Sequence, residues 1–290
     1  MKIGVFSNQY QNKDIIEKVF RLLINYDTEV FVQKEFLDYL IFSTNVETGN
    51  LKTLDDPEFD LHMAFSIGGD GTFLRTVSYL HKKNIPILGI NTGRLGFLAD
   101  ISADEIDTTL DEILNGQYTV EERTQIKLSS NNKEETPEYA LNEVAILKQD
   151  LASMITVTMY INGELLSSYE ADGIIVATPT GSTAYSLSVG GAIMAPDTPN
   201  FIITAIAPHS LTSRPLVVGN SNIITLEVKS RSGCFLVSVD GRSKVIPANG
   251  TLLKIEKAKV PVFVVKRLGH TFYNTLRNKL KWGTDPRQNS

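Results

Sequence analysis

Apolar runs and helical spacings alternate along the first third of the chain. KIGVFSN (2–8) is a short apolar run of strand type, and NKDIIEKVFRLLINY carries Ile15, Ile16, Val19, Leu22 and Leu23 at helical spacing. EVFVQ, a second helical stretch, LHMAFSIGG and IPILGIN (85–91) continue the alternation. Between the last two runs, TFLRTVSYLHKK sets Phe73, Val77 and Leu80 on one helical face. Continuous apolar strands alternating with helices predict a parallel sheet covered by helices. In open sheets of that kind ligands bind at the carboxyl ends of the strands. SADE (102–105) has the spacing of a capping box and opens EIDTTLDEILNG, a helix that Gly116 would end.

The pattern changes from about residue 118. YTVEERTQIKLSS, ALNEVAILK, ITVTMYING, GIIVATPTG, FIITAIA, NIITLEVKS, CFLVSVDGR, TLLKIEKAK and VPVFVVKR are strand-like runs, separated by NG, DG, PN, GN and ANG turn signals. The expected organisation is an α/β domain over 1–117 and an all-β, sandwich-like domain over 118–267. A last helix, HTFYNTLRNKLKW, returns to the first domain, so that 268–290 completes it, and TDPRQNS reads as a frayed tail.

Composition narrows the function without naming it. The 290 residues are 42% hydrophobic and 21% charged, ordinary for globular domains, with one cysteine and a net charge of −5. The negative balance argues against nucleic-acid and anionic-membrane partners. The N-terminal stretch is too short and polar for a signal peptide and no run reaches membrane-spanning length, so a cytoplasmic location is expected. Cys234, in CFLVSV, reads as a small buried hydrophobe. The four histidines lack metal-ligand spacing, and His209 in APHSL either lines a site or is a satisfied loop residue.

Chemistry concentrates at FSIGGDGTFLRTV (65–77), where Gly68, Gly69, Gly71 and Thr72 surround Asp70 between a strand and a helix start. Backbone N–H groups and the helix dipole there suit phosphate, and missing Cβ atoms let oxygens approach. Asp70 would repel phosphate, so it either holds a cation or accepts a proton from an attacking hydroxyl. The stretch is neither a Walker loop nor GxGxxG, and the first βα turn has no glycine, which argues against a hydride-transferring Rossmann domain. GINTGRLGFLAD (89–100) is a second strand ending in spaced glycines. ALNEVAI places Asn142 and Glu143 side by side in an apolar strand, so that at least one of them points inward or sits at a bend. In YEADGIIVATPTGSTAYSLSVGG, Asp172 precedes an apolar strand that runs into a hydroxyl-rich turn with one aromatic ring.

Together, GGDGT at 68–72, NTGRLGFL at 91–98, LNE at 141–143, DGIIVATPTGSTAYSLSVGG at 172–191, APHSLTSRPLVV at 207–218, VDGR at 239–242 and the ending FYNTLRNKLKWG resemble the NAD kinase family in order and over nearly the whole chain. The resemblance implies transfer of the ATP γ-phosphoryl to the 2′-hydroxyl of the adenosine ribose of NAD, giving NADP. It also implies magnesium or another divalent cation, a homodimer or homotetramer, and a site between the two domains. By position it makes Asp70 the proton acceptor, with Gly71 and Arg75 in nucleotide contact. Asn142 and Glu143 match the pair that contacts the nucleotide, and Asp172 an aspartate near the nicotinamide. Thr183, Ala184, Tyr185, Ser186, Leu187 and Ser188 match the loop that cradles adenosine, and Ala207 and Asn249 match positions lining the site.

Glu170 departs from the pattern, since some relatives carry arginine there; preference between NAD and NADH stays open, as does ATP against polyphosphate. GGDGT alone is shared with diacylglycerol and sphingosine-type lipid kinases and with phosphofructokinases. A lipid kinase and a non-catalytic dinucleotide sensor are therefore the alternatives. A lipid kinase would need a basic or apolar docking surface, and the chain shows no amphipathic basic helix.

Overall fold

The computed structural model describes residues 1–282 apart from 27, 55–58, 94, 133–134 and 151–152. Arg94 of the second glycine stretch and the expected tail TDPRQNS lie outside the described residues. The chain divides into two compact units, Met1–Glu122 with Val262–Ser290, and Arg123–Pro261.

The first unit runs β1 (Lys2–Phe6), α1 (Lys13–Ile24), β2 (Glu29–Val32), α2 (Lys34–Ser43), β3 (Lys52–Thr53), β4 (Met63–Ile67), α3 (Asp70–Tyr79), β5 (Ile87–Ile90), α4 (Ile106–Leu114) and β6 (Tyr118–Arg123). β1 pairs in parallel with β2 and β4, β2 with β3, and β4 with β5. Every residue of β4 is buried, as a strand covered on both faces must be. Alternation sends Met63, Phe65 and Ile67 into a core shared with α1, α2 and α4. Ser66 points the other way, where the Thr76 hydroxyl of α3 meets its hydroxyl at 3.2 Å. Asn12 caps α1 through its side chain, accepting the N–H groups of Asp14 and Ile15. Glu105 reaches back to the Ser102 N–H at 3.2 Å, as SADE predicts, with one 3₁₀ turn before α4.

Two strands are not where their sequence pattern put them. YTVEER reads as the opening of the all-β block, but β6 is an edge strand of the first sheet. VPVFVVKR reads as part of the all-β block, but its strand, β19 (Val262–Arg267), enters the first sheet between β5 and β6. It pairs with β5 in parallel, Val264 opposite Ile87. A near-continuous apolar run suits a strand buried on both faces in either sheet, so composition alone does not choose between them. α6 (Phe272–Leu280) follows, with Thr271 accepting the Asn274 N–H as its cap.

The second unit contains β7 (Ile126–Ser130), β8 (Glu138–Ala140), β9 (Glu143–Lys148), β10 (Ile155–Ile161), β11 (Glu164–Ala171) and β12 (Gly173–Ala177). A short helix α5 (Tyr185–Ser188) leads to β13 (Asn200–Ile206), β14 (Leu216–Gly219), β15 (Ile224–Lys229), β16 (Cys234–Val239), β17 (Arg242–Pro247) and β18 (Leu252–Lys257). The strands form two antiparallel sheets, ordered β11-β10-β15-β18-β7-β8 and β14-β13-β12-β9-β16-β17. Both sheets send apolar residues into one core, among them Val157 and Leu226 from the first and Val176 and Phe235 from the second. The unit is thus a sandwich. Ala145, Ile175 and Ile202 fill a smaller core on the outer face of the second sheet, with Met194. Central β12 is accordingly buried along its whole length. Cys234, expected to be buried, is half-buried at the start of β16.

Candidate active site

Asp70 opens α3 directly beyond the carboxyl end of β4. Its carboxylate accepts three backbone N–H bonds from the segment after β5: Leu98 and Ala99 to Oδ1 at 3.0 and 3.1 Å, and Phe97 to Oδ2 at 3.0 Å. A carboxylate has about four lone-pair directions, so Oδ1 is filled and Oδ2 keeps one open. The close approach explains a glycine the sequence reading left without a role. A Cβ on Gly96 would lie 2.0 Å from Asp70 Oδ1.

The glycines around Asp70 divide by cause. A Cβ on Gly68, at φ +153, would lie 2.4 Å from the Thr72 hydroxyl, so Gly68 is required by the fold. A Cβ on Gly69 or Gly71 would meet nothing within 4 Å among the described residues. These two glycines leave open space at the first turn of a helix, where N–H groups lack an intrahelical acceptor and the dipole is positive. Arg75, one turn on, is exposed and donates to Thr72 Oγ1 at 3.0 Å, which leaves a cation beside that space.

A second cluster lies in the second unit. Leu141 and Asn142 form a bend and Glu143 starts β9, so the polar pair sits at a bend, and both side chains are 8% exposed. The bend is held as the segment after β5 is held. Asp240, in the β16–β17 turn, accepts the N–H groups of Leu141, Asn142 and Glu143 at 2.7, 2.8 and 3.1 Å. Burial, then the neighbouring Asp240 charge, pushes the Glu143 carboxyl up to about 7, against a bond from the Tyr185 N–H. Its Oε2 has no hydrogen-bond partner among the described residues. Burial also raises Asp240.

The hydroxyl-rich turn packs onto this bend. Thr178 donates to the Leu141 carbonyl at 2.5 Å, and its N–H to the Asn142 carbonyl at 2.9 Å. A Cβ on Gly181 would lie 2.1 Å from the Asn142 oxygen, so only glycine allows the approach. The hydroxyls turn largely inward: Ser182 donates to Pro179 O at 2.6 Å, Thr183 to Thr180 O at 3.1 Å, and Ser186 meets Thr204 Oγ1 at 3.4 Å. Ser186 is fully buried, while Tyr185 and Ser188 are exposed and Thr183, Ala184 and Leu187 half-buried. The turn therefore presents a ring and backbone groups more than a row of hydroxyls.

The remaining expected residues lie apart from this cluster or are already engaged. The Asp172 carboxylate pairs with Lys148 Nζ at 2.6 Å. Ala207 is exposed and left-handed at φ +43, a conformation unusual outside glycine. Asn249 is exposed beyond the far end of β17. The six residues of that strand separate it from the Asp240 turn by roughly 20 Å. Glu170 is exposed, and its carbonyl accepts the His209 N–H at 2.8 Å. Sequence reasoning gave no role to Gly96, Lys148 or Asp240; VDGR was visible as a motif, but nothing in it told which amides the aspartate would hold.

Comparison with known proteins identifies the family. Residues 3–118 match the ATP-NAD kinase N-terminal domain and residues 141–267 the ATP-NAD kinase C-terminal domain. The chain is 48% identical to the NAD kinase of Bacteroides fragilis over 99% of its own length and 100% of that protein's. It is 42% identical to the NAD kinase of Flavobacterium johnsoniae, again over 99% and 100%. A crystal structure of an NAD kinase from Archaeoglobus fulgidus in complex with ATP superposes with a TM-score of 0.75 at 27% identity, covering 97% of this chain and 99% of that one. Yeast NADH kinase complexed with NADH shares the fold, with a TM-score of 0.88 at 24% identity over 98% and 89% of the two chains. Neither the lipid-kinase nor the sensor alternative draws support from these matches. With both domain families matched in order and full-length relatives well above a third identical, this chain belongs to the NAD kinase family.

Proposed function

We propose that the chain transfers the γ-phosphoryl group of ATP to the 2′-hydroxyl of the adenosine ribose of NAD, with Asp70 as proton acceptor. The observation that carries this reading is the Asp70 carboxylate, immobilised by three amides with one Oδ2 lone pair open, beside two glycines facing empty space. The hydroxyl proton passes to Oδ2, the ribose oxygen bonds to phosphorus, and the bond to ADP breaks with its electron pair on the leaving oxygen. In a loose transition state the proton leaves late, so fixed geometry matters more than a strong base.

Gly69, Gly71 and the α3 N-terminus favour the donor's phosphates, with Arg75 one turn away. The A. fulgidus relative, solved with ATP, supports ATP as donor. Among the described residues no three metal-ligating side chains cluster. A divalent ion bound with the donor's phosphates would neutralise their charge. In the second unit, the exposed Tyr185 ring gives an adenine a surface to pack on, and Asn142 and Glu143 offer polar groups to a nucleotide. We read the protein as a homodimer or homotetramer, which light scattering on the purified chain tests.

The decisive assay incubates the protein with ATP, Mg²⁺ and NAD and detects NADP with an NADP-specific dehydrogenase. A parallel arm offers diacylglycerol vesicles. NADP formation without lipid phosphorylation is the expected result, and its absence rejects the reading.

A further inference from the structure

Lys279, on α6, has no part in the site described so far. Its Nζ lies 3.9 Å from Asp70 Oδ2, the oxygen with the open lone pair, and 4.8 Å from the centroid of the Phe97 ring. Phe97 is also the residue whose N–H bonds Oδ2, so one residue orients the carboxylate and carries the cation. The lysine is too far from Oδ2 for a hydrogen bond. It does not occupy the lone pair; it stands one contact beyond whatever does.

Two carboxylate or hydroxyl oxygens in a hydrogen bond lie about 2.7 Å apart. A ribose hydroxyl on Oδ2 therefore lies no more than about 7 Å from Nζ, and the phosphorus it attacks lies on the far side of that hydroxyl from Asp70. A lysine stem is long and its ammonium donates in three directions, so a rotamer change off the Phe97 ring can bring it to an equatorial phosphoryl oxygen. Both partners are about one-third exposed, and a pair this long at the surface adds little to stability. Stability alone is thus a poor reason for a cation here, whereas a phosphoryl group whose three equatorial oxygens share negative charge is a good one.

We infer that Lys279 is a catalytic residue that contacts the phosphoryl group during transfer, neutralising its equatorial oxygens while Asp70 takes the hydroxyl proton. Lys279 keeps its own proton throughout, and the bonds made and broken are those of the transfer above. This rests on the NAD kinase reading, and the experiment separates the two.

The test compares the wild type with Lys279→Met and Lys279→Arg in NADP formation, NAD binding by calorimetry and thermal melting. Lys279→Met is expected to lower kcat roughly 100-fold, the low end of the loss for removing one donor to a developing anion. NAD affinity should stay within about twofold and the melting midpoint should not move. Lys279→Arg, which keeps the charge on a stem of similar reach, should recover at least a tenth of wild-type turnover. A methionine variant within about twofold of wild-type turnover overturns the inference, and so does an arginine variant as slow as the methionine one. A wild type that makes no NADP removes the premise itself, whereas an active wild type with an undiminished methionine variant removes only the role of Lys279.

Discussion

Asp70 and Gly96 act as one device. The carboxylate can meet three amides only because residue 96 has no side chain. Gly96→Ala sets a methyl 2.0 Å from Oδ1, and the carboxylate must swing away or the segment must retreat. We expect kcat to fall at least ~10-fold, with an overpacking cost of about 1–3 kcal/mol in urea unfolding. Asp70→Asn should cut kcat at least ~100-fold with NAD affinity changed much less, because the amide cannot accept the proton. Near-normal turnover in that variant would remove Asp70 from the chemistry. Glu143 carries a cost of a different kind. Its folded pKa, about 7, lies above the ordinary carboxyl value, so the folded state holds a proton that the unfolded chain releases. Stability on its account therefore falls as pH rises from about 4.5 to about 7. Glu143→Gln should flatten that dependence, and at pH 8 the variant should be the more stable by roughly 3 kcal/mol. Urea unfolding at pH 5 and pH 8 reads the difference, and equal slopes in the two proteins would contradict it.

At the scale of elements, the two clusters repeat one construction: a turn carboxylate accepts three consecutive amides and so fixes a loop beside a strand end. Asp70 holds 97–99, and Asp240 holds 141–143. In Asp240→Asn an NH₂ group must face at least one of those amides, donor against donor. The bend carrying Asn142 and Glu143 should loosen, with about 1.5–3 kcal/mol of stability lost. On the NAD kinase reading, KM for NAD should rise by about tenfold while KM for ATP changes little; a rise in neither would unlink Asp240 from the site.

This construction marks the limit of what the sequence discloses. The β–Gly-rich turn–α pattern and the adjacent Asn-Glu pair are local: the first puts Asp70 at a strand end, and the second marks Asn142 and Glu143 as a polar break in an apolar strand. Clamping by Asp240 joins residues 97 to 99 positions apart, which no local pattern encodes. The inward turn of Ser182 and Ser186 was hidden for a similar reason. A serine near a glycine turn satisfies either its own backbone or a ligand, and only burial decides which. Likewise β19 shows an apolar run that either sheet would accept, and the choice falls to long-range pairing.

Over the whole chain, charged contacts between segments far apart in sequence help to close the first unit. Lys266 ion-pairs with Asp100, both under 10% exposed, and His270 Nδ1 lies 3.3 Å from Asp100 Oδ2. Arg267 forks onto Glu112 at 2.8 and 3.1 Å and also touches Glu105. These contacts tie β19 and the entry to α6 to the segment ending at Asp100, whose preceding amides hold Asp70. The hydrogen bond to Asp100 raises His270 above its ordinary value, with the Asp100 charge and Glu105 adding, against desolvation and Lys266. A raised histidine pKa means that the folded state favours the imidazolium. The stabilisation is then fully present below about 6.5 and is lost as pH rises through the folded value. His270→Gln should therefore lower the melting midpoint at pH 6, and the gap from wild type should narrow as pH rises through the folded value. Glu143 contributes the same sign of slope, but below about 7 and equally in both proteins, so it cancels in the comparison. A gap independent of pH would mean that His270 serves the α6 entry by packing rather than by charge. A gap that closes would show that α6, and Lys279 with it, is anchored beside Asp70 most firmly on the acidic side of neutrality.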